Sequence, residues 1–270
     1  GLPAGTDVRL LLGAYDTTLR SGVFDVGTLQ GSGALQVTGG ELRLNGAASN
    51  AGTLRMSGGR ISASQPLTVR DFRWDAGEFS ADPFEHPPTR LVVTGNATFG
   101  NGGGKYAGYQ STLELRGRTR WLSGASSLTL DGSLHLGPAG RFEDTATADH
   151  HLHLGGTFLN QGTYLKTGTA VTTFSMPYGG ATFDNAGSFQ VREGTVRIEG
   201  APSGTWRNTG SIAVSRGATL DVNVFRYPPI EQSGSVRVDG RASFSVVWSG
   251  MNSSGQWVIG QSGTLTFSND

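Results

Sequence analysis

One phrase recurs three times between Phe158 and Val222, and it constrains the fold more than any other feature of the chain. It reads T-F-L-N-Q-G-T-Y at 157–164, T-F-D-N-A-G-S-F at 182–189 and T-W-R-N-T-G-S-I at 205–212. The asparagines stand 25 residues apart (160 to 185) and then 23 apart (185 to 208). The last two copies stay in step through Q-V-R-E-G-T-V-R-I and A-V-S-R-G-A-T-L-D-V. A unit of this size cannot bury its own apolar face. Self-similarity in the twenties therefore predicts stacked coils, each covering the next.

The rest of the chain speaks the same way. Ala34-Leu35-Gln36-Val37, Glu41-Leu42-Arg43-Leu44 and Thr53-Leu54-Arg55-Met56 place apolar residues at every second position, as half-buried strands do. Gly39-Gly40, Gly58-Gly59 and Asn45-Gly46 close them, and such pairs mark turns. Glycine, at 43 of 270 residues, is about twice its usual share of roughly 7%. No window carries a capped helical period. A second register shows at Leu134-His135-Leu136 and Leu152-His153-Leu154, displaced by 18 residues. Asn50-Ala51-Gly52-Thr53 reads as an early copy of the phrase.

Three segments break the rhythm. Residues 82–110 hold Pro83-Phe84-Glu85-His86-Pro87-Pro88 and the glycine run before Lys105; proline removes ladder donors, so this segment is predicted to loop out. Residues 175–180 and 225–231, the latter containing Tyr227-Pro228-Pro229, read as further loops.

The predicted fold is all-β, a single elongated parallel β-solenoid over 1–270. At about 22 residues per coil it would have about 12 coils and a length of roughly 55–60 Å. The repeated asparagines, with Asn50, Asn160, Asn185 and Asn208 as corner residues, would bond to one another from coil to coil. The following glycine would supply a positive-φ corner. The competing architecture is a pair of antiparallel β-sandwiches, which also shows a short strand every 8–12 residues. Recurrence of one phrase at a nearly fixed interval favours the solenoid.

With V-T-G-G-E-L-R-L-N-G, L-R-G-R-T at 115–119 and F-x-N-x-G-[ST] in view, the chain resembles the Gly/Asn-rich repeats of large bacterial surface and secreted proteins. These are similar to the β-solenoid stalks of filamentous-haemagglutinin and autotransporter-type adhesins. The resemblance covers about residues 27–222. It implies a right-handed parallel β-helix at the bacterial cell surface or outside the cell, and carries no catalytic residue across. The chain opens at Gly-Leu-Pro and its last strands carry no polar cap, so a piece of a longer parent protein is expected, with further coils or domains as neighbours.

Charge narrows the partners. Basic and acidic residues number 21 each, so no net field draws the chain to nucleic acid, and no apolar run is long enough for a membrane span. Neither nucleic-acid binding nor membrane insertion is expected. Lys105 and Lys166 are the only lysines; GC-rich coding accounts for that skew without any function. Cysteine is absent, which removes disulfides, zinc–thiolate sites and thiol catalysis.

Two clusters invite a ligand. Asp149, His151 and His153 share one strand face by period two, and the 18-residue displacement would stack His135 beneath His153. Three imidazoles and a carboxylate suit zinc, copper or nickel, although an outward face that merely meets water explains the same residues and no cofactor is required. Trp74, Tyr106, Tyr109, Trp121 and Tyr227 lie in or beside the irregular segments, where aromatic faces next to Arg, Asp and Glu would stack on sugars. The same aromatics can instead seal the flank of the rod.

An enzyme reading needs paired carboxylates on a groove, about 5–9.5 Å apart. Asp71, Asp75 and Glu78 are the nearest offering, followed by Glu143-Asp144. Phosphate-loop, dinucleotide and G-x-S-x-G patterns are missing. The sequence thus points to a non-catalytic, extracellular structural or adhesive segment in contact with surface polysaccharide or with glycans of host or neighbouring cells. A polysaccharide lyase or hydrolase, or a carbohydrate-binding module, is the alternative.

Overall fold

The computed structural model describes residues 9–13, 16–80, 89–100, 102–108, 110–122, 127–176, 180–200, 205–225, 230–247 and 251–268. Every regular element among them is a β-strand, and away from the two ends each pairs in parallel with its counterparts one coil before and one coil after. The predicted β-solenoid is the fold, and no antiparallel pairing occurs among the described residues.

A single coil shows the construction. Thr182–Asn185 lies on a first face, Ser188–Val191 on a second and Thr195–Gly200 on a third. Thr205–Asn208 then returns to the first face, with Phe183 opposite Trp206 and Asn185 opposite Asn208. Alternate residues point inward, so each inward position becomes a column running along the rod. The first face stacks Leu67, Leu91, Leu113, Leu134, Phe158, Phe183 and Trp206. The second stacks Met56, Trp74, Phe99 and Trp121. The third stacks Leu128, Leu152, Phe174, Ile198, Val222 and Phe244. All are buried in one continuous core, each worth about 1.5–3 kcal/mol relative to exposure. Among the described residues, large apolar side chains are exposed only toward the two ends: Leu11, Val23 and Phe24 at one, Ile259 and Phe267 at the other.

Three expectations are corrected. The stack has about 10 turns rather than 12, and the strands Arg9–Leu12 and Thr28–Gly31 form a separate two-stranded sheet beside the 30-stranded one. Residues 82–110 are not one loop. Arg90–Val93, Ala97–Phe99 and Lys105–Ala107 are ladder strands on the three faces, because glycine before a strand shortens it without removing its donors; residues 81–88 lie outside those described. Likewise Val171–Met176, Thr219–Phe225 and Ile230–Gln232 are strands, with 177–179 and 226–229 outside the described residues.

The glycine of the repeated phrase does a different job from the one expected. At Gly162, Gly187 and Gly210 the backbone is not in the left-handed region. A Cβ there would sit 2.1–2.2 Å from a carbonyl oxygen of the preceding coil. Close approach of stacked corners excludes the side chain, and φ is not the reason.

Candidate functional site

The second-face column is apolar above and below one interruption. After Trp121 come Asp144 and Lys166, and then Val191, Val214 and Val238. The interruption arises from strand parity. Arg141–Asp144 and Thr163–Lys166 each send their second and fourth residues inward, so Phe142 and Tyr164 carry Asp144 and Lys166 in with them. Both charged side chains are 0% exposed. Across the core, the third-face strands His150–Leu154 and Val171–Met176 place His150 and Thr172 in register.

These residues close around one carboxylate. Asp144 Oδ2 accepts from the Tyr164 hydroxyl at 2.9 Å and the Thr172 hydroxyl at 2.5 Å, with His150 Nε2 at 3.3 Å. Asp144 Oδ1 accepts from the Ala146 amide at 3.2 Å and lies 3.7 Å from Lys166 Nζ. Lys166 Nζ also donates to the Gly168 carbonyl at 2.8 Å. His150 Nδ1 lies 3.1 Å from the Ala148 carbonyl, Nε2 lies 3.2 Å from Thr172 Oγ1, and the ring packs 4.4 Å from that of Trp121. Burial would raise the Asp144 carboxyl, but His150, Lys166 and Thr172 outweigh it and hold it below the usual range. Burial pushes the Lys166 amine down, with Asp144 pulling the other way. Burial and the adjacent Asp144 charge push the Tyr164 phenol well up.

The first-face column changes character in the same coils. Val69, Val93, Leu115 and Leu136 give way to Asn160, Asn185, Asn208 and Gln232. Each Nδ2 of the three asparagines donates to the next side-chain oxygen at 2.6 Å. Only the two ends of this row, Asn160 Oδ1 and Gln232 Nε2, lack a partner. The asparagines are the last residues of strands, pointing inward. Asn50 does not belong with them. It is exposed and accepts from the Gly31 amide at 3.2 Å, because the inward position of that coil is Ala51, opposite Val69.

Outside, the carboxylates are taken up by arginines. Glu143 receives Arg118 at 2.7 Å, Arg141 at 2.7 Å and Arg120 at 3.3 Å. Burial alone would raise Glu143, yet the arginines bring it down to about 2. Arg70 holds Asp71 and Arg73 holds Asp75, Arg90 and Arg116 hold Glu114, and Arg207 holds Asp184. Beside the Glu143 group, Asn96, Ala97, Thr98, Arg118 and Arg120 line a shallow cavity of about 210 Å³.

The sequence-predicted ligand sites disperse. Trp74 and Trp121 are 0% and 1% exposed; they are inward residues of the second face and cannot stack on a sugar. Tyr106 is half-buried and donates to Asp131 Oδ2 at 2.5 Å. Tyr109 and Tyr227 lie outside the described residues. His151 and His153 do stack outward, with ring centroids 5.5 Å apart. His135, however, is on the first face, in register with Glu114 and Leu159, whereas His153 aligns with Thr129 and Ser175 on the third. Asp149 accepts from the Val171 amide at 2.8 Å. Among the described residues, no three His, Asp or Glu side chains converge on a metal position. No helix among them is long and apolar enough to cross a membrane.

From sequence, Asp144 enters only with Glu143 as a candidate carboxylate pair, and His150 and Lys166 receive no site role. The signal was available. If Leu152 and Leu154 face inward, so does His150; and the first and third residues after Thr163 align Tyr164-x-Lys166 with Phe189-x-Val191 and Ile212-x-Val214. The chain matches no protein-family description, no curated protein and no solved structure.

Proposed function

We propose that this chain is a non-catalytic rod segment of an extracellular bacterial surface protein, giving length and stiffness and presenting its outer faces for contact. The observation that carries this reading is the parallel coil-to-coil pairing of 30 strands in one sheet, whose ladders would give a stiff, protease-resistant shaft. Pairing of the outward carboxylates with arginines adds support, since Asp71, Asp75 and Glu143 each lie against an arginine rather than opposite one another across a groove. Glycan contact in this reading belongs to the second face, at the cavity beside Arg118 and Arg120. Planar guanidinium groups match carboxylate and sulfate bidentately, so acidic glycans are the favoured partners there.

The test is a panel of neutral and acidic polysaccharides, scored both for retention of the protein and for release of reducing or unsaturated ends. Retention of acidic members without products is expected, and the double substitution Arg118→Ala with Arg120→Ala should abolish it. Released ends would replace the rod reading with an enzyme. Absence of retention would leave the shaft as a spacer.

A further inference from the structure

We propose that Lys166 and Asp144 condense into an intramolecular isopeptide bond, a covalent staple between neighbouring coils of this cysteine-free rod. The inference is independent of what the outer faces bind.

The geometry supplies what the reaction needs. The two side chains face each other on adjacent rungs, in direct register, with Nζ 3.7 Å from Oδ1 and no exposure to water. Fixed proximity replaces a bimolecular encounter and is worth many orders of magnitude in rate. The two carboxylate oxygens are differentiated. Oδ1 faces the Ala146 amide, a donor placed where negative charge grows in the tetrahedral intermediate. Oδ2 carries the Tyr164 and Thr172 hydroxyls and faces His150 Nε2. With Nδ1–H directed at the Ala148 carbonyl, Nε2 faces two oxygens, Thr172 Oγ1 and Asp144 Oδ2. Thr172 Oγ1, His150 Nε2 and Asp144 Oδ2 thus form one hydrogen-bonding triangle around the oxygen that must leave.

The balance closes without any outside reagent. An ammonium and a carboxylate become an amide and one water. Nζ gives up one proton, its lone pair forms the bond to Cγ, and charge gathers on Oδ1. Oδ2 is protonated through Thr172 and His150, and the Cγ–Oδ2 bond breaks. The second proton leaving nitrogen completes the water. The direction is favoured by burial. An ion pair out of water carries a desolvation penalty that its attraction only partly offsets, and a neutral amide removes both charges. Trp121, Phe142 and Tyr164 wall the site, and burial already weakens the hold of Lys166 on its proton. The ionised carboxylate is the less reactive form, which is why the three groups on Oδ2 matter.

Mass spectrometry of the intact, folded chain decides the matter. The expected mass is one water below that of the sequence. Trypsin adds the location, since Lys166 is the only basic residue between Arg141 and Arg192. A cross-linked chain yields residues 142–192 as one peptide, also lacking one water, because an acylated lysine is not cut. Lys166→Arg should restore the full mass and the cut after 166, since guanidinium does not make this bond. Full mass in the unsubstituted protein, cleavage after Lys166, or a water lost outside 142–192 would each overturn the proposal. The unsubstituted protein alone gives the answer if the variant fails to fold.

Discussion

Within the same coils, the core meets polar residues in two opposite ways. On the first face, three asparagines and a glutamine form a row in which each residue satisfies the next. On the second face, an aspartate and a lysine interrupt an apolar column once, and their partners are Tyr164 beside the lysine, two side chains from other strands, one backbone amide and one carbonyl. A row of like amides needs no partner beyond its own repeat. A single ion pair needs a dedicated cage, because a buried charge without compensation is far more costly than a buried amide. Translation along a solenoid thus makes the first kind of polar core cheap to extend and the second kind specific to one place.

The largest test of that contrast is Asp144→Leu. It should destabilise the chain by about 3–5 kcal/mol, since Lys166 is left buried without its counter-charge. The joint change of Asp144 and Lys166 to Val, continuing the column of Val191 and Val214, leaves no lone buried charge and should be more stable than Asp144→Leu by at least half of that amount. Urea midpoints of the three proteins would measure it, and equal losses in single and double variants would contradict the cage.

The amide row should be more forgiving at its start than at its middle. Asn185→Leu removes the acceptor of Asn160 and the donor of Asn208 together, so about 2–3 kcal/mol is expected from buried groups left unsatisfied. Asn160→Leu merely lengthens the aliphatic run that ends at Leu136 and should cost about half as much. The ratio, read from the same denaturation experiment, is the sharper observable.

Smaller effects come from outside the core. Glu143 is held at about 2, below its ordinary 4.5. A depressed carboxylate adds stability above the unfolded value, and this is lost as pH falls from about 4.5 toward 2. The loss should be on the order of 1–2 kcal/mol, less than the full shift implies because the arginines stand half in water. Glu143→Gln should remove this acid-dependent part of the stability, read as a flatter dependence of the thermal midpoint over that pH range. Asn50→Ala should change stability by less than about 0.5 kcal/mol, as surface substitutions do. A loss as large as that at Asn185 would put Asn50 back into an amide row.

The lysines give the comparison its clearest instance. All but two of the 21 basic residues are arginine, and the two lysines, Lys105 and Lys166, are 1% and 0% exposed. Burial pushes both amines down, Lys105 with Asp75 opposing and Lys166 with Asp144 opposing. Arginine cannot shed its charge inside a core, whereas lysine can. Skewed coding would account for the abundance of arginine, but not for the burial of both exceptions.

By itself the sequence determined the all-β class, the stacking of coils and the row Asn160–Asn185–Asn208, since each is periodic and a period is visible along the chain. It misjudged Trp74 and Trp121, because loop-like neighbours suggested exposure while strand parity turned both inward. It kept His135 with His153 by spacing alone, although the corners between them carry the two onto different faces. Only the tertiary structure decided that Asp144, His150, Tyr164, Lys166 and Thr172 meet. Those contacts cross from the second face to the third and from one coil to the next, and no local pattern records which inward columns converge at a shared corner. Neighbours along the stack repeat and can be read, whereas neighbours across the core are set by how the coil closes.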